Sequence, residues 1–213
     1  MRLLTALKIL QNAGVPVIET RDAAYKLGLT NESASRALKR LASDNHIIHL
    51  SRGLWAIDKQ INSLLLPEYL LAPFPCYISL QTALYHHGMI DQIPRIITAV
   101  SPARTRRIRT PLAIISNHRL VPEFFFGYEV DPKTQVKMAT PEKALLDIFY
   151  LKPAKSLWFK SLPEVEIPTS FDPKKAFEMI RKIPSQARRT MVEASLRSVL
   201  KPTRRQIDDS GSV

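Results

Sequence analysis

The chain has 213 residues, 45% hydrophobic and 23% charged, with one cysteine and a formal net charge of +12. That balance suits a folded soluble protein with room for one large domain or two modest ones. It excludes an internal disulfide framework, and no apolar run approaches the roughly 20 residues that span a bilayer.

A cytoplasmic protein with no membrane partner is therefore expected, and the charge points to a polyanion. Solubility alone is the bland alternative. The positive excess is +4 over residues 1–60, +2 over 61–150 and +6 over 151–213.

The opening "MRLLTALKILQNAG" lacks a small-residue cleavage site, so it reads as an amphipathic helix rather than a signal peptide. Leu3, Leu4, Leu7, Ile9 and Leu10 give its apolar stripe, and Gly14 suits its end. In "TRDAAYKLG", Thr20 is expected as N-cap, Asp22 sits in the first turn and Gly28 suits a left-handed cap. Thr30 then caps "NESASRALKRLASDN", whose Ala34, Ala37, Leu38 and Leu41 recur at helical spacing.

Two short helices around a glycine-containing turn make a helix-turn-helix signal. The polar face of the second helix holds Asn31, Ser33, Ser35, Arg36, Lys39 and Arg40. Short hydroxyl and amide groups, with Thr30 beside them, allow close approach to base edges, and the cations reach phosphates. Any solvated helix face is also polar, so the charges alone decide nothing.

"HIIHL-SRG-LWAI" adds two apolar-rich strands around a tight turn, with Arg52 at its tip and Trp55 expected in the core. Residues 1–58 are thus expected to form a winged helix-turn-helix that binds double-stranded DNA through Thr30, Asn31, Ser33, Ser35, Arg36, Lys39, Arg40 and Arg52. The segment "TRDAAYKLGLTNESASRALKRLASDNHI" resembles the winged helix-turn-helix of many bacterial repressors.

The remainder, 59–201, reads as a second, mixed α/β domain, giving an α+β protein. Residues 59–75 are a proline-punctuated, packed connector. Residues 76–150 form the α/β part. There Ser79 is expected to cap "LQTALYHHG", and His86 and His87 in its last turn are read as structural or surface residues rather than metal ligands. "RIITAV" and "LAIISNH" read as strands.

Between those strands Arg104, Arg106, Arg107 and Arg109 fall within six residues. They suit either a phosphate-binding or partner-facing surface, or a charged edge strand that blocks aggregation. "FFFGYEV" is an aromatic strand or turn. "ATPEKALLDIFYL" is a helix capped by Thr140 with Pro141 at its first position. It buries Ala144, Leu145, Ile148 and Phe149, with Glu142 and Asp147 left to capping and surface roles.

Residues 151–201 read as a basic helical extension, with Asp172 and Ser185 as caps. Its Arg181, Lys182, Arg188, Arg189, Arg197 and Lys201 either lengthen a DNA footprint or cover the sheet. Residues 202–213 read as a frayed tail.

"YISLQTALYHHGMID", the arginine-rich "SPARTRRIRTPLAI", "FFFGYE" and "ATPEKALLDIFYL" occur in the order found in AbiEi-type antitoxins, which the chain resembles over residues 1–150. These are the antitoxin and autorepressor components of type IV abortive-infection toxin–antitoxin systems. The resemblance implies an N-terminal domain that binds inverted repeats in its own promoter. It also implies a C-terminal domain that counteracts a nucleotidyltransferase toxin without needing a stable complex.

Two other classes stand beside this one. A stand-alone repressor with a ligand-sensing second domain fits the same layout. A nuclease would need clustered carboxylates beside a lysine; Glu129, Asp131 and Lys133 alternate, but "VDPK" reads first as a turn. No glycine-rich phosphate loop, nucleophile elbow or zinc spacing occurs, so no cofactor, metal or catalytic residue is expected.

Overall fold

The computed structural model describes residues 3–152 and 164–200. Among them, α1 (Leu3–Gln11), β1 (Val17–Glu19), α2 (Thr20–Leu27), α3 (Asn31–Ser43), β2 (Ile48–Ser51) and β3 (Leu54–Ala56) form an N-terminal unit. Its antiparallel sheet has the order β1-β3-β2. Strand alternation divides this sheet between two cores. Ile18, Trp55 and Ile57 face Leu7, Leu10, Ala23, Leu38 and Leu41 of the three helices. Val17, Leu54 and Ala56 face away from them, toward the rest of the chain.

The short β1 was not expected from the sequence, and it relocates a cap. Glu19, not Thr20, is the residue preceding α2, and it makes no side-chain cap. Thr20 instead donates to the Gly53 carbonyl (3.3 Å) and accepts from Trp55 Nε1 (2.9 Å), tying α2 to the hairpin. Leu4, expected in the α1 stripe, is 61% exposed because the helix buries Ala6, Leu7 and Leu10 instead. Gly28 holds φ 63° at the end of α2, and Thr30 accepts from the Ser33 amide to open α3, both as expected.

The connector carries a 3₁₀ turn (Ser63–Leu65) and α4 (Leu66–Leu71), with Leu66, Leu70 and Leu71 buried. Beyond it lie β4 (Tyr77–Ile78), α5 (Leu80–His86), β5 (Ile97–Ser101), β6 (Arg106–Arg109), β7 (Ile114–Arg119), β8 (Tyr128–Val130), β9 (Lys137–Ala139) and α6 (Pro141–Leu151). The strands form one mixed sheet, β6-β7-β5-β4-β9-β8, with parallel pairs β5/β7 and β4/β9.

Adjacent residues of β4 point to opposite faces. Tyr77 joins the core under α5, α6, α7 (Pro173–Arg181) and α8 (Gln186–Leu200). Ile78 joins Ala99 and Met138 against Leu64 and Leu65 of the connector. The N-terminal sheet meets this second face: Val17, Leu50, Leu54 and Ala56 share a core with Leu66 and Leu70 of α4 and with Ile108 and Ile115. The described chain is thus α+β, with α4 wedged between its two sheets. No described helix is long and apolar enough to cross a membrane.

Candidate nucleic-acid interface

The α3 helix sets its apolar residues Ala34, Leu38 and Leu41 against α1 and α2, which leaves the opposite face to solvent. Arg36, Lys39 and Arg40 are exposed there, and Asn31 is exposed at the helix start. Ser33 and Ser35 are half-buried at the margins. Thr30 is committed to capping: it accepts from the Ser33 amide at 3.3 Å and its hydroxyl donates to Ser33 Oγ at 3.1 Å. One residue of the face was missed. Glu32, 88% exposed, lies 4.0 Å from Arg36 one turn on, so the surface is basic with an acidic member.

The hairpin presents Arg52 at its tip, exposed, and Gly53 follows at φ 77°. The Thr20 contacts to Gly53 and Trp55 tie this tip to the start of α2, and Trp55 shares a core with Leu38 and Leu41 of α3. Trp55 is 3% exposed and packs against His49 with ring centroids 4.4 Å apart and planes tilted by 39°; it is core, as expected.

The four arginines of the second unit lie on and beside β6, the edge strand of the six-stranded sheet. They do not form one cluster. Arg106 points with Ile108 toward the connector, where its guanidinium donates to the Leu70 carbonyl at 2.8 Å. Arg107 and Arg109 take the opposite face by strand alternation, and Arg104 precedes the strand. All four are exposed.

The C-terminal cations are largely engaged in covering the helical core. Arg188 donates to the Tyr150 carbonyl, Arg189 to the Ile183 carbonyl at 2.9 Å, and Arg197 pairs with Glu193 at 2.8 Å. Lys182 lies 4.6 Å from the centre of the Phe126 ring. Those contacts agree with the covering role of this extension; Lys201 and the expected tail lie outside the described residues.

Helix α6 departs most from expectation. Glu142 and Asp147, expected in capping and surface roles, are buried, and so is Lys143. Asp147 pairs with Lys143 and accepts from Ser79 Oγ (2.7 Å) and the Tyr77 hydroxyl (3.1 Å). Ser79 therefore does not cap α5; its hydroxyl is spent on Asp147. The Lys143 ammonium also sits 3.8 Å from the centre of the Phe124 ring. Burial pulls the Lys143 pKa down and pushes those of Asp147 and Tyr77 up.

Tyr77, Ser79, Lys143 and Asp147 are all buried, and the cluster holds α6 to β4 and to the aromatic turn. A lysine and an aspartate four apart in an otherwise apolar helix were the signal that could have revealed it.

His87 Nε2–H donates to the Ala139 carbonyl (2.7 Å), a structural contact. Asp131 accepts from the Lys133 and Thr134 amides, closing the expected turn. Among the described residues, no group of three His, Cys, Asp or Glu side chains could hold a metal ion. Cys76 is buried, which pushes its thiol up to about 12, and Glu68 adds to the shift.

No protein-family model matches the sequence, and no curated protein matches it. Among solved structures the chain is similar to the RV2827C protein from Mycobacterium tuberculosis, with 18% identity and a TM-score of 0.51. The alignment covers 88% of this chain and 69% of that one. At that identity the likeness carries the fold alone.

Proposed function

We propose that this chain is a DNA-binding transcriptional autoregulator and the antitoxin of a type IV toxin–antitoxin system. In this reading residues 1–58 are a winged helix-turn-helix. Its recognition helix is α3, and its wing is the β2–β3 hairpin. The observation that carries it is the joint presentation of Arg36, Lys39 and Arg40 on α3 and Arg52 on the hairpin, in a chain of net charge +12. A helix about 10–12 Å across fits the major groove, and a basic hairpin tip beside it reaches neighbouring phosphates or the minor groove.

The antitoxin part rests on the resemblance of "YISLQTALYHHGMID" and "ATPEKALLDIFYL" to AbiEi-type antitoxins. The two strings meet in the fold, where Tyr77 and Ser79 of the first hydrogen-bond Asp147 of the second. The partners are then double-stranded promoter DNA carrying inverted repeats and, functionally, a nucleotidyltransferase toxin. Arg104, Arg107 and Arg109 offer the second unit's surface for phosphate or toxin-related work.

The test is binding of the full chain to its own upstream DNA and to a scrambled duplex across a salt series. Tight, sequence-selective binding supports the reading. Weak binding, equal on both and lost in moderate salt, overturns it in favour of generic charge. A stand-alone repressor with a sensing domain is the second reading, favoured by a cleft of about 550 Å³ beside the β8–β9 hairpin. A nucleotidyltransferase gene beside this one, with rescue from its toxicity by this chain, separates the two.

A further inference from the structure

Glu32 stands where a surface built only for phosphates has no use for an acid. Ala34, Leu38 and Leu41 bury one side of α3. At about 100° per residue, the stripe opposite them is Glu32, Arg36 and Lys39. The carboxylate is therefore central in the outward face, not at its margin, and it lies in the first turn with 88% of its side chain exposed.

Two ordinary roles leave that placement unexplained. Compensation of the helix dipole is served from any side of the first turn, so it does not select the outward side. The ion pair with Arg36 is 4.0 Å long between side chains that are 77% and 88% exposed. A pair of that kind contributes little and parts readily when either member finds a better partner.

We infer that Glu32 is a specificity-determining residue that accepts from the amino group of a cytosine in the major groove. The inference rests on the DNA-binding reading of α3. In helix-turn-helix docking the N-terminal residues of the second helix meet the base edges. A carboxylate that loses its water there needs a donor. Cytosine N4 and adenine N6 are the donors on the groove floor. Arg36, one turn along, favours the first, because a guanidinium matches the O6 and N7 of guanine. Cytosine N4 and guanine O6 lie side by side in a C·G pair, so the neighbouring acid and arginine match its two halves. The same carboxylate repels phosphates, which weakens binding to every sequence and sharpens the choice among them.

The experiment selects binding sites from a randomised duplex library with the full chain, then measures affinities for the selected site and its single-base variants. The wild type is expected to select a half-site containing a C·G pair whose change to T·A weakens binding by about tenfold, since thymine presents an acceptor instead. Glu32→Ala is expected to bind both versions within about twofold, keep its discrimination elsewhere, and hold scrambled DNA several-fold more tightly. Glu32→Gln is expected to move the preference at that position toward adenine, whose N6 and N7 an amide matches.

A shifted unfolding midpoint with unchanged selection is the signature of a purely structural Glu32 and overturns the inference. So does a selected site that is the same for the wild type and Glu32→Ala, with the DNA-binding reading left standing. Adenine at the Glu32-sensitive position of the wild-type site overturns the base assignment. Failure of the wild type to enrich any sequence removes the DNA-binding reading and this inference with it.

Discussion

Lys143 and Asp147 stand one turn apart on α6 and form an ion pair in which neither side chain is exposed at all. Asp147 also takes the hydroxyls of Tyr77 and Ser79, so one carboxylate joins the helix to β4 and to the residue that starts α5. A buried pair of this kind contributes little net stability, yet removing one partner strands the other charge.

Asp147→Ala is therefore expected to destabilise the fold by roughly 3–5 kcal/mol in urea unfolding. Lys143→Met combined with Asp147→Asn removes both charges and keeps a carbonyl acceptor for Tyr77 and Ser79. That double variant is expected to be more stable than Asp147→Ala by at least about 2 kcal/mol. A double variant as damaged as the single one would show that the ion pair does not govern this core.

Gly127 packs its backbone on the same lysine. It holds φ 76°, and a Cβ there would meet Lys143 Cγ and Cδ at 3.1 Å. Gly127→Ala is expected to cost roughly 1–3 kcal/mol, combining left-handed strain with displacement of a buried side chain. Gly28→Ala has open space around its Cβ at a similar φ, so it measures the backbone strain alone. The two losses should differ by the Lys143 contact.

His118 in β7 is 7% exposed, and burial lowers its pKa from 6.5 to about 4. Between those values the unfolded chain binds the proton and the folded chain does not. The neutral histidine's contribution is therefore complete above about pH 6.5 and is lost as pH falls toward 4. Comparing urea unfolding of the wild type and His118→Phe from pH 7.5 to 4.5 isolates this group. The wild type is expected to lose on the order of 2–3 kcal/mol more than the variant over that range. Parallel pH profiles would show that His118 is not held neutral.

Arg36 has 77% of its side chain exposed and forms a loose ion pair with Glu32. Arg36→Ala is expected to leave the unfolding midpoint unchanged while weakening specific promoter binding by roughly 1–3 kcal/mol, measured by fluorescence anisotropy. Arg104→Glu with Arg109→Glu spares Arg106, whose bond to Leu70 is structural. That pair of reversals is expected to reduce toxin rescue or DNA affinity with the fold intact; if both are unchanged, the edge strand's charge has no functional part.

The α1–α2–α3–hairpin succession was legible in the sequence because its signals are local. A left-handed glycine at position 28, a threonine cap at position 30, apolar spacing in α3 and a Ser-Arg-Gly turn each act within a few residues. The α6 start at Thr140-Pro141 and the α7 start at Asp172-Pro173 were legible for the same reason. Exposure of Arg36, Lys39 and Arg40 followed from helical periodicity, since burying one helix face leaves the other wet, and that of Arg52 from its place at the hairpin tip.

What the tertiary structure alone decided was where polar side chains spend their hydrogen bonds. Thr20 and Ser79 stand where caps belong, but each found a partner far along the chain: Trp55 for one and Asp147 for the other. Asp147 and Glu142 looked like ordinary capping and surface charges until α6 was enclosed by the sheet, α5, α7 and α8. Four neighbouring arginines looked like one patch until strand alternation and an edge position sent Arg106 to the connector and Arg107 and Arg109 to the other face. Local periodicity fixes which way a side chain leaves its own element, whereas burial and pairing depend on what the rest of the chain brings to meet it.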